Sequence, residues 1–461
     1  MRFSNPLVVL ATTHVVGTLG QAGCNSTVDN SIIYQLSSDS QFAFLFEEYL
    51  SLSNGGGANT GEVLRAASRI VPGDYESWYS EFKFLADALH TKAISINATR
   101  FPVSAREAYF RASSYYRGAD FFLHGNQSDP RIYSLWDSAL ADFDAATSLL
   151  PIPATRYNLT TTNFTVPIIY FPAQSSASSI GGVHRRGSNC STKKLPTVIV
   201  GTGYDGSQEA LYHSIGRAIL DRGWNYVSYE GPGQPTVRRQ QNIGFIDNWW
   251  DVVGPVVDYL HTRDDVDTDR IALAGESFGG ILAPRAASRE HRISATLAID
   301  GITNLQRTIR SELPAVLNKL FDSGNAALYD EVMIGLMNNA SVPTSLRWGI
   351  AQGMFSFNTT SPFEWFTRLG GITAEADTLA NITMPVFVGE GEDDQMAPGQ
   401  AVEMLDALGD LGTYNLFKSE LGAGQHCQLG AEAQLAQVSL DWLADVWDGI
   451  SIPKNLTDNA Y

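Results

Sequence analysis

The stretch IALAGESFGG, residues 271–280, decides how the rest of the chain is read. Apolar and small residues run into Gly-Glu-Ser-Phe-Gly, and further small residues follow. A serine on a sharp strand-to-helix turn needs small neighbours on both sides, and Gly275 and Gly279 supply them. In that geometry the Ser277 hydroxyl stands clear of a sheet. The Phe278 N–H faces the reacting atom, because a helix N-terminus opens there. The five-residue pattern is short enough to occur by chance, so its meaning depends on its surroundings.

Those surroundings alternate. DRIALAGESFGGILAPRAASR reads as strand, turn, helix. Before it, TVPIIYFPA is strand-like, LPTVIVGTGYDG is a buried strand entering a glycine-rich turn, and NYVSYEGPGQ is a strand and a loop. FIDNWWDVVGPVVDYLHTR has the three- and four-residue apolar spacing of an amphipathic helix. After it come the strands RISATLAIDG, MPVFVGEGEDD and GTYNLFKSE, and the closing helix QLGAEAQLAQVSLDWLADVW. Strands alternating with helices predict an α/β fold with a doubly wound, mainly parallel sheet. This catalytic region is expected over 151–455, with a helical insertion at 301–383. Residues 24–150 are expected to form a helical cap region. Three segments between 75 and 150 carry helical spacing, and Pro-Gly-Asp at 72–74 signals a helix start. The segment before them is rich in Ser, Gly and Asn around the patch FAFLFEEYL.

The first 23 residues differ in kind: an early positive charge, a mostly apolar stretch and then small residues, the pattern of a secretory signal peptide. Glycosylation sequons begin at Asn25, Asn97, Asn126, Asn158, Asn163, Asn189, Asn339, Asn358, Asn381 and Asn455, acceptors that only a secretory-pathway protein can use. Localisation is therefore expected to be secreted or in the secretory pathway. Of three cysteines, Cys24 and Cys190 allow one bridge in an oxidising compartment, and Cys427 reads as a free thiol. No cysteine or histidine spacing matches a metal site, and no cofactor motif is found. The net charge of −18, with scattered basic residues, argues against nucleic acid and anionic membranes as partners. No later stretch is apolar enough to span a bilayer. The partners left open are a small hydrophobic substrate and a second copy in a homodimer.

A serine hydroxyl is a weak nucleophile unless a base takes its proton and an acid holds the base. In this type of sheet the chain order is serine, acid, histidine. Of eight histidines only His426, in LGAGQHCQLGA, follows the last acid-bearing strand. The acid belongs just past a late strand, where Glu390, Glu392, Asp393 and Asp394 stand. Asp300, ending TLAID, is a further candidate that also reads as a turn cap. The second oxyanion donor belongs to the loop after TVIV, which points to the Tyr204 N–H, with Asp205 as alternative. Glu230, in YEGPGQ, is read as either a pocket residue or part of a turn.

Together these segments resemble the alpha/beta-hydrolase superfamily. The resemblance is closer to a branch with an N-terminal helical region, which includes FrsA-like esterases, the bacterial 2,6-dihydropseudooxynicotine hydrolase and fungal polyketide-shortening hydrolases. It is carried by SAREAYFRASSYY, GTGYDGSQE, YEGPGQPTVRRQQNIGFIDNWWDVVGPVVDYL, GESFGG, GEDDQMAPGQA and GQHCQLGA, over most of residues 75–445. Hydrolases of this type carry an acid four residues before a proline at the late strand. That implies Asp394, before Pro398, with Asp393 as runner-up. The resemblance thus implies a Ser277–Asp394–His426 triad. It also implies a helical region folded over the carboxyl edge of the sheet, and cleavage of a C–C bond beside a ketone, or of an ester. A cyclase or acyltransferase of secondary metabolism and a non-catalytic binding protein are the competing expectations.

Overall fold

The structure, a computed structural model, describes residues 33–174 and 194–457. The signal-peptide segment, Asn25, Asn189, Cys24 and Cys190 lie outside the described residues. Five helices come first: α1 (Ser40–Ser51), α2 (Thr60–Ala67), α3 (Tyr75–Ser95), α4 (Pro102–Asp120) and α5 (Arg131–Ser148). Helix α3 starts where Asp74 of the Pro-Gly-Asp turn accepts hydrogen bonds from the N–H groups of Glu76 and Ser77. Helix α1 is a finding beyond the sequence reading, which treated FAFLFEEYL only as an apolar patch. Asp39 caps it, accepting from the Phe42 N–H. Phe42, Leu45, Phe46 and Tyr49 then recur at helical spacing and are all buried. They pack with Trp78, Phe82, Tyr115 and Phe122 into an aromatic core separate from that of the sheet. Burying each such ring contributes roughly 1.5–3 kcal/mol, so α1 is held by its buried face despite its polar flanks.

The sheet follows: β1 (Thr155–Thr160), β2 (Thr165–Phe171), β3 (Leu195–Gly201), β4 (Asn225–Tyr229), β5 (Val266–Gly275), β6 (Ala295–Ala298), β7 (Val386–Gly391) and β8 (Gly412–Phe417). Their spatial order is β1-β2-β4-β3-β5-β6-β7-β8. The β1–β2 and β2–β4 pairs are antiparallel and the remaining pairs parallel. Parallel strands need crossovers, which here include α6 (Arg217–Asp221), α7 (Pro235–Gln241), α8 (Trp250–His261) and α9 (Gly279–Ala287). Between β6 and β7 lie α10 (Leu305–Glu312), α11 (Ala315–Asp322), α12 (Ala326–Met337), α13 (Thr344–Ser356), α14 (Pro362–Leu369) and α15 (Ala376–Leu379). Helix α16 (Gln400–Leu408) precedes β8, and α17 (Glu432–Asp448) closes the chain. Apolar side chains fill both faces of the sheet, as a doubly wound fold requires.

One packing contact fixes the helix that follows Ser277. A Cβ on Gly280, in the first turn of α9, would stand 1.9 Å from the Asp300 carbonyl oxygen. The helix can approach the end of β6 only because that position is glycine. Gly280→Ala is expected to cost about 1–3 kcal/mol through overpacking, read as a lowered thermal unfolding midpoint.

Candidate active site

Ser277 sits between β5 and α9 with φ +58°, in the left-handed region that a serine seldom occupies. Its flanks explain how the turn is tolerated. A Cβ on Gly275 would meet the Gly279 carbonyl oxygen at 2.0 Å, so the turn closes only around glycine. Strain at a nucleophile is expected where the fold aims a hydroxyl outward.

His426 reaches Ser277 from the loop between β8 and α17. Its Nε2 lies 2.9 Å from Ser277 Oγ and its Nδ1 lies 2.8 Å from Asp394 Oδ2. Asp394 sits just past β7, and its other carboxylate oxygen accepts from the Met396 N–H at 2.7 Å. The other acids at that strand end are committed elsewhere. Glu390 accepts from Tyr414 Oη, and Glu392 accepts from the Ser419 N–H. The Asp393 N–H donates to the Gly424 carbonyl, and that residue makes no bond to His426 among those described.

Asp300 holds a second position beside the same histidine. It is almost fully buried, and one carboxylate oxygen accepts from the Ser277 N–H at 3.1 Å. The other accepts from the Cys427 N–H at 3.0 Å, and Cys427 Sγ donates to Asp300 at 2.9 Å. Its Oδ2 is 3.8 Å from His426 Nδ1, a full ångström beyond the Asp394 contact. One carboxylate thus ties the serine turn to the histidine loop. Asp300, His426 and Cys427 also bring three potential metal-ligand atoms within 4.8 Å of one another. Each is already engaged in the bonds just described.

Electrostatics follow from this crowding. Burial disfavours the His426 imidazolium, but Asp394, Asp300 and Asp205 outweigh it, so the proton affinity of His426 is raised. Burial pushes Asp394 up, and the His426 partner more than reverses this. Burial pushes Glu276, next to the serine, up to about 8, and Asp205 up to about 6.

The side of the site facing the serine turn is built from backbone. A Cβ on Gly203 would lie 2.6 Å from the Phe278 nitrogen and 3.0 Å from Ser277 Oγ, so the glycine loop and the serine turn face each other with no side chain between. Among the described residues, the N–H groups of Tyr204 and Phe278 have no protein acceptor. Gln234 Nε2 donates to the Thr202 carbonyl at 2.7 Å and the Gly203 carbonyl at 3.3 Å. In a trans peptide the N–H opposes the C=O, so this anchor turns the Tyr204 N–H away from Gln234. Sequence reasoning did not find Gln234, whose role needs the folded loop to be seen. Glu230 braces the neighbouring turns, accepting from the N–H groups of Gln208 at 3.1 Å and Thr236 at 2.6 Å.

The helical region covers the site. The Phe44 ring, on α1, lies 6.5 Å from the His426 ring. Arg117 on α4 bonds Glu48 of α1 at 2.8 Å and the Asp205 carbonyl of the glycine loop at 3.3 Å. Of the sequon residues within the described range, Asn97, Asn126, Asn158, Asn163, Asn358, Asn381 and Asn455 are exposed and Asn339 is half-buried.

Sheet order, serine turn and strand-end acids define an alpha/beta-hydrolase fold. No family model matches the chain. Among curated relatives, hydrolase acrC of Aspergillus aculeatus is 29% identical over 427 residues, covering 88% of this chain and 96% of that protein. The 20-hydroxy-prefusarin hydrolase FUS2 of Gibberella moniliformis is 28% identical over 424 residues, covering 87% and 95%. Alpha/beta hydrolase psoB of Aspergillus fumigatus is 29% identical over 440 residues, covering 89% and 94%. Of solved structures, the 2,6-dihydroxy-pseudo-oxynicotine hydrolase superposes with a TM-score of 0.67 at 19% identity, covering 89% of this chain and 100% of that one. AbyA5 gives 0.55 at 16% identity, covering 84% and 96%. The chain thus has the alpha/beta-hydrolase fold, resembles these fungal hydrolases in sequence over most of its length, and resembles the pseudo-oxynicotine hydrolase in fold. Its similarity to the fungal proteins extends over helical region and sheet alike. Among the described residues, no helix is long and apolar enough to cross a membrane.

Proposed function

We propose that the protein is a serine-triad hydrolase that cleaves a ketone C–C bond or an ester in a small hydrophobic molecule of polyketide type. The observation that carries this reading is the continuous hydrogen-bonded line from Ser277 Oγ through His426 to Asp394, under a helical cover. The named hydrolases among its relatives support the reaction class. The substrate class rests on the sequence resemblance.

The chemistry follows from the atoms. Ser277 Oγ attacks the carbonyl carbon while His426 Nε2 takes its proton, and Asp394 holds the imidazole with Nδ1–H toward itself. The developing oxyanion lies toward the Phe278 and Tyr204 N–H groups. With an ester, the C–O bond breaks and His426 returns the proton to the leaving alkoxide. With a ketone, the C–C bond breaks, the electron pair leaves on a carbon stabilised by a neighbouring carbonyl or electron-rich ring, and His426 protonates that carbanion or enolate. Water, deprotonated by His426, then releases the acyl group from Ser277.

The cover over the site favours one second reading. A shielded acyl-enzyme attacked by an internal nucleophile instead of water would yield a ring, the outcome of a cyclase or acyltransferase. The test is labelling with a fluorophosphonate, followed by mass spectrometry after incubation with ester, aryl-ketone and polyketide panels. The expected result is one label on Ser277 and two fragments per turnover. A dehydrated ring identifies the cyclase, and no label on Ser277 indicates a binding protein without catalysis. We also propose passage through the secretory pathway, supported by the N-terminal pattern and the exposed sequons. Loss of mass after endoglycosidase treatment of natively expressed protein is the expected result.

A further inference from the structure

The glycine loop is held by side chains at four successive carbonyls. Gln234 holds the carbonyls of Thr202 and Gly203, Gln352 Nε2 donates to the Tyr204 carbonyl at 3.1 Å, and Arg117 donates to that of Asp205. Each held carbonyl fixes the N–H of the following residue on the opposite side of its peptide plane. Gln234 therefore sets the plane before Tyr204 and Gln352 the plane after it. Together they determine the φ and ψ of the residue that carries the donor N–H. Gln352 comes from α13 of the insertion, outside the core sheet.

Gln352 is itself held from behind. Its Oε1 lies 2.6 Å from His124 Nδ1, just past α4 of the helical cover. A carbonyl can only accept, so the amide nitrogen must face Tyr204 and the amide oxygen must face His124. His124 Nδ1 therefore carries a proton. His124 Nε2 lies 3.0 Å from Arg239 Nη2 and 3.2 Å from Asp120 Oδ2, and Arg239 pairs with that same Asp120 oxygen. The His124 ring stacks on Phe355 at 4.1 Å and 7°, and Arg239 lies over the Trp136 ring. Gln352, His124, Asp120 and Arg239 are each at least nine-tenths buried. Apart from Asp120 Oδ1, which has no protein partner among the described residues, these buried groups bond one another, and the two bonds of Gln352 hold its amide in one orientation.

We infer that Gln352, backed by His124, Asp120 and Arg239, is a positioning residue that sets the oxyanion loop, so that the helical cover and the insertion assemble part of the catalytic machinery. The inference rests on the serine-hydrolase reading of the same site. It makes cover and insertion more than walls of a substrate chamber.

The test uses the full-length protein with probes that need no substrate. The second-order rate of fluorophosphonate labelling at Ser277, and inhibition by an aryl trifluoromethyl ketone, both require an oxyanion at the hole. Gln352→Met keeps the length of the side chain and removes both bonds. Its labelling rate per folded molecule is expected to fall about tenfold or more, with a parallel loss in trifluoromethyl ketone affinity; losing an oxyanion donor outright costs about 100- to 1,000-fold. Gln352→Glu keeps the shape and the acceptor for His124 but removes the donor to Tyr204. The same loss is expected there, and this variant carries the test should Gln352→Met not fold. Labelling within twofold of wild type per folded molecule, in either folded variant, overturns the relay, even if unfolding temperatures drop. Wild-type protein that does not label at all overturns the hydrolase reading and the relay with it, whereas wild type that labels beside equally fast variants overturns the relay alone.

Discussion

Ser277→Ala and His426→Ala are each expected to lower turnover by about 10⁴- to 10⁶-fold while leaving the fold intact. The reason is that the proposed mechanism moves the proton along a single line. Ser277 Oγ has His426 Nε2 at 2.9 Å as its base, and no other histidine ring is hydrogen-bonded to it among the described residues. Removing the hydroxyl removes the attacking atom, and removing the imidazole leaves a hydroxyl that does not ionise near neutral pH. The two losses are not additive, because the residues act as one unit, so the double variant should be no worse than the weaker single one. Folding should survive. Ser277 is anchored through its backbone N–H to Asp300, and alanine keeps that bond. Both variants should therefore unfold within a few degrees of wild type. Substantial turnover in either would remove the triad assignment.

The same residues show what a sequence discloses. The proposed triad of Ser277, Asp394 and His426 is legible because each sits at a strand end or loop whose order along the chain is imposed by the sheet. The parallel strands were legible as continuous apolar runs. Helix α1 was not, because Ser and Gly flanks hide an apolar spacing that only the packing of Phe42, Phe46 and Tyr49 against Trp78 makes decisive. The antiparallel β1 was not either, since TRYNLT is mostly polar and only partly covered. The positioning groups were the least legible. Asp300 acts on backbone N–H groups 23 and 127 residues away, and Gln234 and Gln352 act on loop carbonyls. A side chain bonding to backbone leaves no partner residue type to search for. Asp300 shows this directly: its position at a strand end makes it a candidate acid, and only its distance from His426 separates it from Asp394, the acid of the proposed triad.

That separation yields a second large effect, with two variants that should differ in kind. Asp394→Asn is expected to cost about 10⁴-fold in turnover, since the amide can present N–H to Nδ1 and so favour the tautomer that cannot accept the serine proton. Asp300→Asn should cost less, because Nδ1 is 3.8 Å from Asp300 and 2.8 Å from Asp394. Its signature should lie in the pH profile. In the proposed mechanism the working base is the neutral imidazole, so activity is expected to rise as pH climbs through the pKa of His426. Asp394, Asp300 and Asp205 are the carboxylates that raise this pKa, against burial. Removing the Asp300 charge lowers it, so the acid limb of kcat/KM should move to lower pH. A clamp that acted only through the Ser277 and Cys427 N–H groups would reduce the rate at every pH and leave the limb in place. Profiles of wild type and Asp300→Asn with one activated ester distinguish the two. Asp394→Asn should leave too little activity for its limb to be followed, and an Asp300→Asn loss equal to that of Asp394→Asn would contradict the assignment of Asp394 as the acid that orients His426.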